Sequence, residues 1–319
     1  MKKISIVYIL LFLIYTTSVC FSDSETIEIS KPYTFISGTP AMASEVNANF
    51  DQSYSYIQSV LNILCKYHPM EKICLNFYSK SFTNDFGMKF NYIEPGTFNM
   101  GSPKDEPGRQ EDETQHQVTL TQGFYMQTTE VTQGQWKAIM GSDNPERFNN
   151  CGDNCPVKQV SWNDVQDFIQ KLNQLEGSNK YFLPTEAQWE YAARSGTIGP
   201  FANGGSTKSN CAYDDNINAI GWYCGNSNFR YKPVAQKQPN SWGLYDMHGN
   251  FWEWCQDRYG PYETSNVVNP DGFSSGDERV IRGGCQSCGI SECRSSNREK
   301  FIQNGTLDSI GFRLIFINY

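Results

Sequence analysis

An α+β domain of short elements joined by many loops is what the sequence predicts for roughly the last 230 residues. Three observations carry this. Two capping boxes, Thr132-x-x-Gln135 and Thr185-x-x-Gln188, mark helix starts, and Gly141 and Gly196 stand where those helices should stop. A third stretch, opened by Ser161, carries a helical apolar stripe. Around these helices lie strand-like runs punctuated by Gly and Asn, in a chain with few charged residues (19%) and many aromatics (14%).

The elements follow in order. FNYIEPGTFNMGS, from Phe90, reads as two strands around the turn Pro95-Gly96, and QHQVTLTQGFYMQTTEVT reads as two more. The first capping box then opens a helix that Gly141 ends. In WNDVQDFIQKLNQL, residues Val165, Phe168, Ile169, Leu172 and Leu175 form one stripe, which is ordinary core material. The second capping box opens AQWEYAARSG. From there to the end the chain reads as turns and short strands, without an internal repeat.

The N-terminal part has a different texture. MKKISIVYILLFLIYTTSVCFSDS has two lysines, an apolar run from Ile4 to Tyr15 and then small residues, the build of a secretory signal over residues 1–22. The run is too short to span a bilayer, and no later segment is long and apolar enough to do so. The expected location is therefore secreted, periplasmic or extracellular, with no transmembrane anchor. Loss of Cys20 with the leader leaves an even number of cysteines in an oxidising place, which favours disulfides. Residues 23–88 read as an appendage: a short strand, a helix that Ser44 caps, and a linker. Val46, Phe50, Tyr54, Ile57, Leu61 and Leu64 form one apolar seam, either packed on its own domain or holding a homo-oligomer together through residues 44–64. Cys65 and Cys74 suit a local disulfide. The main domain is expected over 89–319. A net charge of −8 leaves no footprint for nucleic acid.

Seven motifs then appear in order: FNMGS (98–102), FYMQTTEVTQGQW (124–136), FLPTEAQWEYAARSG (182–196), GLYDMHGNFWEW (243–254), RVIRGG (279–284), CRSSNR (293–298) and GFRL (311–314). Together they resemble the formylglycine-generating enzyme, or sulfatase-modifying factor, family over about residues 90–319. The resemblance implies that family's irregular, loop-rich α+β fold, related to C-type lectins.

It also implies a chemistry. Family members that oxidise a sulfatase cysteine hold Cu(I) between two cysteines in the pattern GGS-x-x-C-x-x-S-x-C. Two thiolates are soft, anionic donors suited to that ion. Here the stretch reads GGC-Q-S-Cys288-G-I-Ser291-E-Cys293, so the resemblance makes Cys288 and Cys293 candidate copper ligands and catalytic residues, with Ser291 positioning substrate or oxygen. Two departures weigh against this. Arg294 follows the second cysteine at once, and Cys255 follows WEW, as in bacterial relatives without the catalytic pair. By that resemblance a Cys255–Cys293 disulfide is expected, and Cys288 then falls to Cys285, Cys211 or Cys224. Arg294 and Arg298 are expected to favour a thiolate at Cys293, whereas the compartment favours a bond.

In GLYDMHGNFWEW the resemblance matches Asp246, the backbone carbonyls of Gly249 and Phe251, and Glu253 to a calcium site, and hard oxygen donors around a turn suit Ca²⁺. The alternative is a turn with two solvated carboxylates. Histidine is scarce (3 in all), and His68, His116 and His248 form no H-x-x-x-H, so the iron-dependent sulfoxide synthases related to this family are a poor match. His116 reads as structural. Two functions follow. One is an exported oxidase acting on a cysteine of a protein or peptide substrate. The other is a non-catalytic, lectin-like module that displays Gln286 to Asp308 to a surface ligand.

Overall fold

The computed structural model describes residues 80–141, 151–206, 208 and 210–318, all within the unit Leu75–Tyr319. The leader, the seam from Val46 to Leu64 and the Cys65/Cys74 pair lie outside the described residues. Along the chain the elements are β1 (Ser81–Thr83), β2 (Lys89–Ile93), β3 (Gly96–Met100), β4 (His116–Leu120) and β5 (Phe124–Gln127), then α1 (Gln133–Met140) and α2 (Trp162–Leu175). After β6 (Tyr181–Phe182) come α3 (Glu186–Arg194) and α4 (Asp215–Ile220). A second run of strands follows: β7 (Trp252–Arg258), β8 (Val267–Val268), β9 (Glu278–Arg282), β10 (Arg298–Ile302), β11 (Ile310–Gly311) and β12 (Ile315–Phe316).

The strands form three sheets. One is five-stranded in the order β1-β2-β5-β12-β6, one is four-stranded in the order β10-β9-β7-β11, and one is three-stranded in the order β3-β4-β8. The expected strands on either side of Pro95-Gly96 are present, but the turn hands the chain from one sheet to another. β2 pairs with β1 and β5, whereas β3 pairs with β4. In β4 the period of two is plain, with Val118 and Leu120 buried and Gln117 exposed. The mixed α+β architecture expected from the sequence is the one observed.

Both capping boxes form. Thr132 Oγ1 accepts the Gln135 N–H, and the Gln135 side chain accepts the Thr132 N–H. Thr185 and Gln188 do the same. An N-cap of this kind stabilises by about 1 kcal/mol. Helix α3 ends one residue earlier than read, because Ser195 itself adopts the left-handed cap. In α2 the stripe buries Val165, Phe168, Ile169 and Leu172, with Phe168 stacked on Trp136. Leu175 leaves it: at the last turn it is exposed, and the buried place goes to Asn173, which binds Tyr181 and Lys180 through backbone groups. Helix α4 falls where the sequence reads as turns and short strands. Its signal was Asp214, whose carboxylate accepts the Asn216 and Ile217 N–H groups, with Gly221 after the last turn. Among the described residues no helix is long and apolar enough to cross a membrane.

Charge is buried as deliberately as apolar surface. Arg282 donates to Glu190 and to the carbonyls of Ser295, Ser296 and Asn297. Arg298 grips Glu186 through Nε (2.8 Å) and Nη2 (2.7 Å). Arg294 reaches Glu106 (2.6 Å) and Glu113 (2.5 Å), and Arg313 reaches Glu253 (2.6 Å). All nine side chains are nearly or wholly excluded from solvent. Removing one partner of such a pair costs about 3–5 kcal/mol, because the other is left charged and dry.

Asp257 stands in the same block and lacks its own cation. Its Oδ2 accepts the Glu186 N–H (2.9 Å) at the start of α3. Burial, then the neighbouring Glu186, pushes its carboxyl up from an ordinary 3.8 to about 8, despite the opposing pull of that N–H and of Arg298. The unfolded chain releases this proton near 3.8 and the folded chain holds it to about 8. The associated stability is thus full in acid and lost as pH rises through that window. Asp257→Asn keeps an acceptor for Glu186 and removes the titration. Its melting temperature should gain on the unmodified protein steadily from pH 4 to pH 8, as read by calorimetry. A difference that stays constant over that range would contradict the assignment.

Candidate functional site

Strand β9 delivers the chain to Gly283 and Gly284, both at left-handed φ (100° and 76°). A Cβ on Gly284 would meet the Cys293 sulfur at 2.7 Å and the Glu292 carbonyl at 2.8 Å, so only glycine lets the chain return so closely on itself. A loop follows, with a 3-10 turn at Ile290–Cys293, before β10. Its far side is fixed by Arg282 and Arg294, as described above.

Three sequence-predicted residues lie in this loop, and the structure separates their roles. Cys288 is bonded to Cys285. Cys293 is a free thiol and is fully buried among Phe201, Ile217, Tyr223 and Ile290. Ser291 is half-buried, and its carbonyl accepts the Arg294 Nε–H (2.9 Å). The expected Cys255–Cys293 bond is therefore corrected: both sulfurs are free. Cys293 sits against Gly284, and neighbouring Gly283 sits against Phe251, just before β7. Cys255 lies several residues further along β7, in a separate apolar cluster with Trp189 and Val280. The two sulfurs lie in different apolar clusters, and neither is bonded. Cys211 pairs with Cys224 instead, and Cys151 pairs with Cys155.

Nor is Cys293 activated by the arginines that follow it. Arg294 belongs to Glu106 and Glu113, and Arg298 to Glu186. Burial pushes the Cys293 thiol far up and Glu292 adds to that, only partly offset by a hydrogen bond from the Cys285 N–H. With Cys288 in a disulfide and Cys293 held as a buried thiol, the residues do not fit a copper pair in this oxidised form.

The second candidate, the loop Gly243–Trp254, turns sharply, with Asp246, Gly249 and Asn250 all at left-handed φ (59°, 119° and 67°). Asp246 Oδ2 accepts the Ala235 N–H (2.7 Å). Glu253 is engaged elsewhere, by Arg313 on both oxygens and by Trp189 Nε1 (2.7 Å). The sequence reading missed Glu130, at the end of the TTE run after β5. Glu130 is wholly buried, and its Oε1 accepts from Asn250 Nδ2 (2.9 Å). Asp246 Oδ1 and Glu130 Oε2 have no N–H or O–H partner unless the two carboxyls share a proton. Burial raises Glu130 well above the carboxylate range, with Asp246 and Glu253 adding to it. Burial also pushes Asp246 up to about 6, against the Ala235 N–H and Arg313. Three buried carboxylates around one guanidinium leave negative charge over, and the two orphaned oxygens are where a cation fits. Among the described residues no group of three or more His, Cys, Asp or Glu side chains could hold a metal ion, so a cation here would need backbone carbonyls as well.

Two histidines, His116 and His248, lie among the described residues. His116 packs at a tilt against Tyr262 and bonds the Thr114 carbonyl. His248 is buried, with Nε2 accepting the Ala202 N–H and Nδ1 on the Cys293 carbonyl; burial pushes it down to about 4.

Residues 83–317 match the model of the sulfatase-modifying factor enzyme 1-like domain. The chain belongs to this family. It is 34% identical over 179 residues to the formylglycine-generating enzyme of Streptomyces coelicolor, a match that covers 50% of this chain and 52% of that enzyme. It is 29% identical over 249 residues to the chaperone protein LppX of Paenibacillus barcinonensis, covering 62% of this chain and 81% of that one. Among solved structures, Treponema denticola variable protein 1 superposes with a TM-score of 0.65 at 25% identity, covering 75% of this chain and 99% of the other. The sulfatase-modifying factor fold is thus shared by relatives whose names describe different activities.

For this sulfatase-modifying factor domain the thiol assignments are directly checkable. Under native, oxidised conditions neither Cys255 nor Cys293 should react with a maleimide, and both should label on unfolding. A non-reduced peptide map should link Cys285 to Cys288. Rapid native labelling of Cys293, or a peptide linking Cys255 to Cys293, would contradict the assignment.

Proposed function

We propose that residues 83–317 act as a ligand-binding module built on the sulfatase-modifying factor scaffold, without oxidase chemistry in the oxidised protein. The observation that carries this reading is the Cys285–Cys288 bond beside a buried Cys293. The surface around the loop supplies the contact patch. The Cys224 N–H bonds the Cys288 carbonyl, and the Ile290 N–H bonds the Asn210 carbonyl, which brings the Cys211–Cys224 segment alongside. On another flank Ser227 Oγ donates to the Gln286 carbonyl and accepts the Phe229 N–H. Exposed Ser287 thus has Tyr213 (55% exposed) and Phe229 (64% exposed) on its neighbouring segments. Phe229 also holds a left-handed φ of 57°, rare for a bulky residue and more often tolerated where function needs it. The Tyr213→Ser, Phe229→Ser double variant should lose at least tenfold in binding to intact source-cell surfaces, with its melting temperature unchanged. Undiminished binding would remove the patch from consideration.

A second reading, copper-dependent oxidation of a cysteine in a protein substrate, is favoured by the offsets of Cys288, Ser291 and Cys293. It requires Cys288 to be released first. Oxidised protein supplied with Cu(I) should not turn over a cysteine peptide, and turnover with the Cys285–Cys288 link intact would overturn the primary reading.

We also propose that a calcium ion occupies the Gly243–Trp254 loop, held by Asp246, the Gly249 and Phe251 carbonyls and Glu130, with Glu253 serving Arg313. It would neutralise buried charge and fix the loop. Calcium should raise the melting temperature over that in chelator, and Asp246→Asn should abolish the difference. Identical curves for the unmodified protein in both conditions would exclude the ion.

A further inference from the structure

In a chain of net charge −8, two half-buried lysines gather over one tryptophan with no anion to answer them. Helix α4 ends at Gly221, and Trp222 follows. The segment from Lys232 to Gln238 runs alongside. The Lys232 N–H donates to Asn250 Oδ1 (3.0 Å), and the Gln238 N–H donates to the Ala219 carbonyl (2.9 Å). Trp222 is fixed through its own carbonyl, which accepts the Asn250 N–H (2.8 Å). Lys237 Nζ then lies 3.8 Å and Lys232 Nζ 5.2 Å from the centroid of its ring. An indole face attracts a cation but carries no charge to cancel two. Each ammonium has three N–H donors. Among the described residues, Lys237 spends one on Asn218 Oδ1 (2.9 Å) and Lys232 spends none. Asp246 is felt by Lys237 but is not bonded to it: its Oδ1 has no partner and its Oδ2 takes the Ala235 N–H. Burial draws the Lys237 ammonium down from its usual value; Asp246 opposes this and Lys232 adds to it. Trp222 Nε1, shielded from solvent, also finds no acceptor.

We propose that Trp222, Lys232 and Lys237 form a binding site for a compact oxyanion, the carboxylate, sulfate or phosphate group of an acidic ligand. Such a group brings the acceptors that these donors lack, and it removes the repulsion between the two ammonium groups. Lysine suits the task, because a point charge with rotatable donors can turn toward an anion of any shape. The half-buried setting shields the pair from salt better than an open surface would. The indole already restrains both lysine stems, so less side-chain freedom is lost on binding. None of the three residues belongs to the contact patch or the calcium ligands proposed above.

The test uses the full mature chain in chelator, so that calcium plays no part, at fixed pH and ionic strength with chloride as the balancing anion. Acetate, sulfate and phosphate are titrated separately, and binding is read by tryptophan fluorescence and calorimetry. Expected is saturable binding of at least one of them, one anion per chain, with a fluorescence change that Trp222→Phe removes. Saturation by acetate alone assigns a carboxylate ligand, and saturation by sulfate or phosphate assigns an oxyacid group. Lys232→Gln and Lys237→Gln should each weaken binding roughly tenfold, the loss of one charge-assisted contact. Lys232→Arg, which keeps the charge, should retain it. A response that fails to saturate with all three anions would overturn the site. So would saturable binding that persists in the Lys232→Gln, Lys237→Gln double variant. If the Lys237 variants fail to fold, Lys232→Gln decides, because the Lys232 ammonium holds no protein acceptor.

Discussion

Buried arginines paired with glutamates from distant segments are the constraint on which the rest of this fold depends. Short strands and long loops leave many backbone carbonyls without ladder partners, and each must be satisfied. A guanidinium can donate up to five hydrogen bonds from one rigid plane, so it serves a carboxylate and several carbonyls at once. Arg282 does this for Ser295, Ser296 and Asn297 while bound to Glu190. Arg313 does it for Gln127 and Tyr245 while bound to Glu253. The desolvation penalty is offset only because nearly every donor finds an acceptor, which makes the network specify a geometry rather than simply add stability.

Both candidate sites hang from this network. The cysteine loop leaves β9 directly after Arg282 and returns to β10 at Arg298, so its two ends are pinned by buried cations. The acidic loop is pinned through Glu253 and Arg313, and that assignment turns Glu253 from an expected calcium ligand into an anchor. Glu130 then stands closest to Asp246 in chemical role, with an oxygen still to be satisfied. A scaffold held in this way tolerates change in the loop it displays. That suits a family in which one architecture underlies proteins with differently named activities.

Much of this was legible in the sequence where the signal was local. Capping boxes act within four residues, so Thr132 with Gln135 and Thr185 with Gln188 could be read directly. Family membership was carried by ordered motifs over most of the main domain. What could not be read depended on distance in space. Whether Cys293 bonds Cys255 turns on where β7 places one sulfur relative to a loop over thirty residues later. The fate of Glu253 turns on Arg313, and that of Arg294 on Glu106 and Glu113, none of them near in sequence. Leu175 satisfied the helical period and still ended exposed, because a stripe continues only as far as something packs against it. Helix α4 was short enough that its one clear cue, Asp214, went unused.

The claim that ion pairs rather than sulfur hold the cysteine loop is open to direct measurement by hydrogen exchange across residues 283–298, followed by mass spectrometry. Oxidised protein, dithiol-treated protein and the Glu190→Gln variant are compared at equal temperature and pH. The expected result is that dithiol treatment speeds exchange only around Cys285–Cys288, whereas Glu190→Gln speeds it through Ser295 and Asn297, where Arg282 binds the backbone. Loss of protection throughout the loop on reduction, with Glu190→Gln indistinguishable from the unmodified protein, would contradict it.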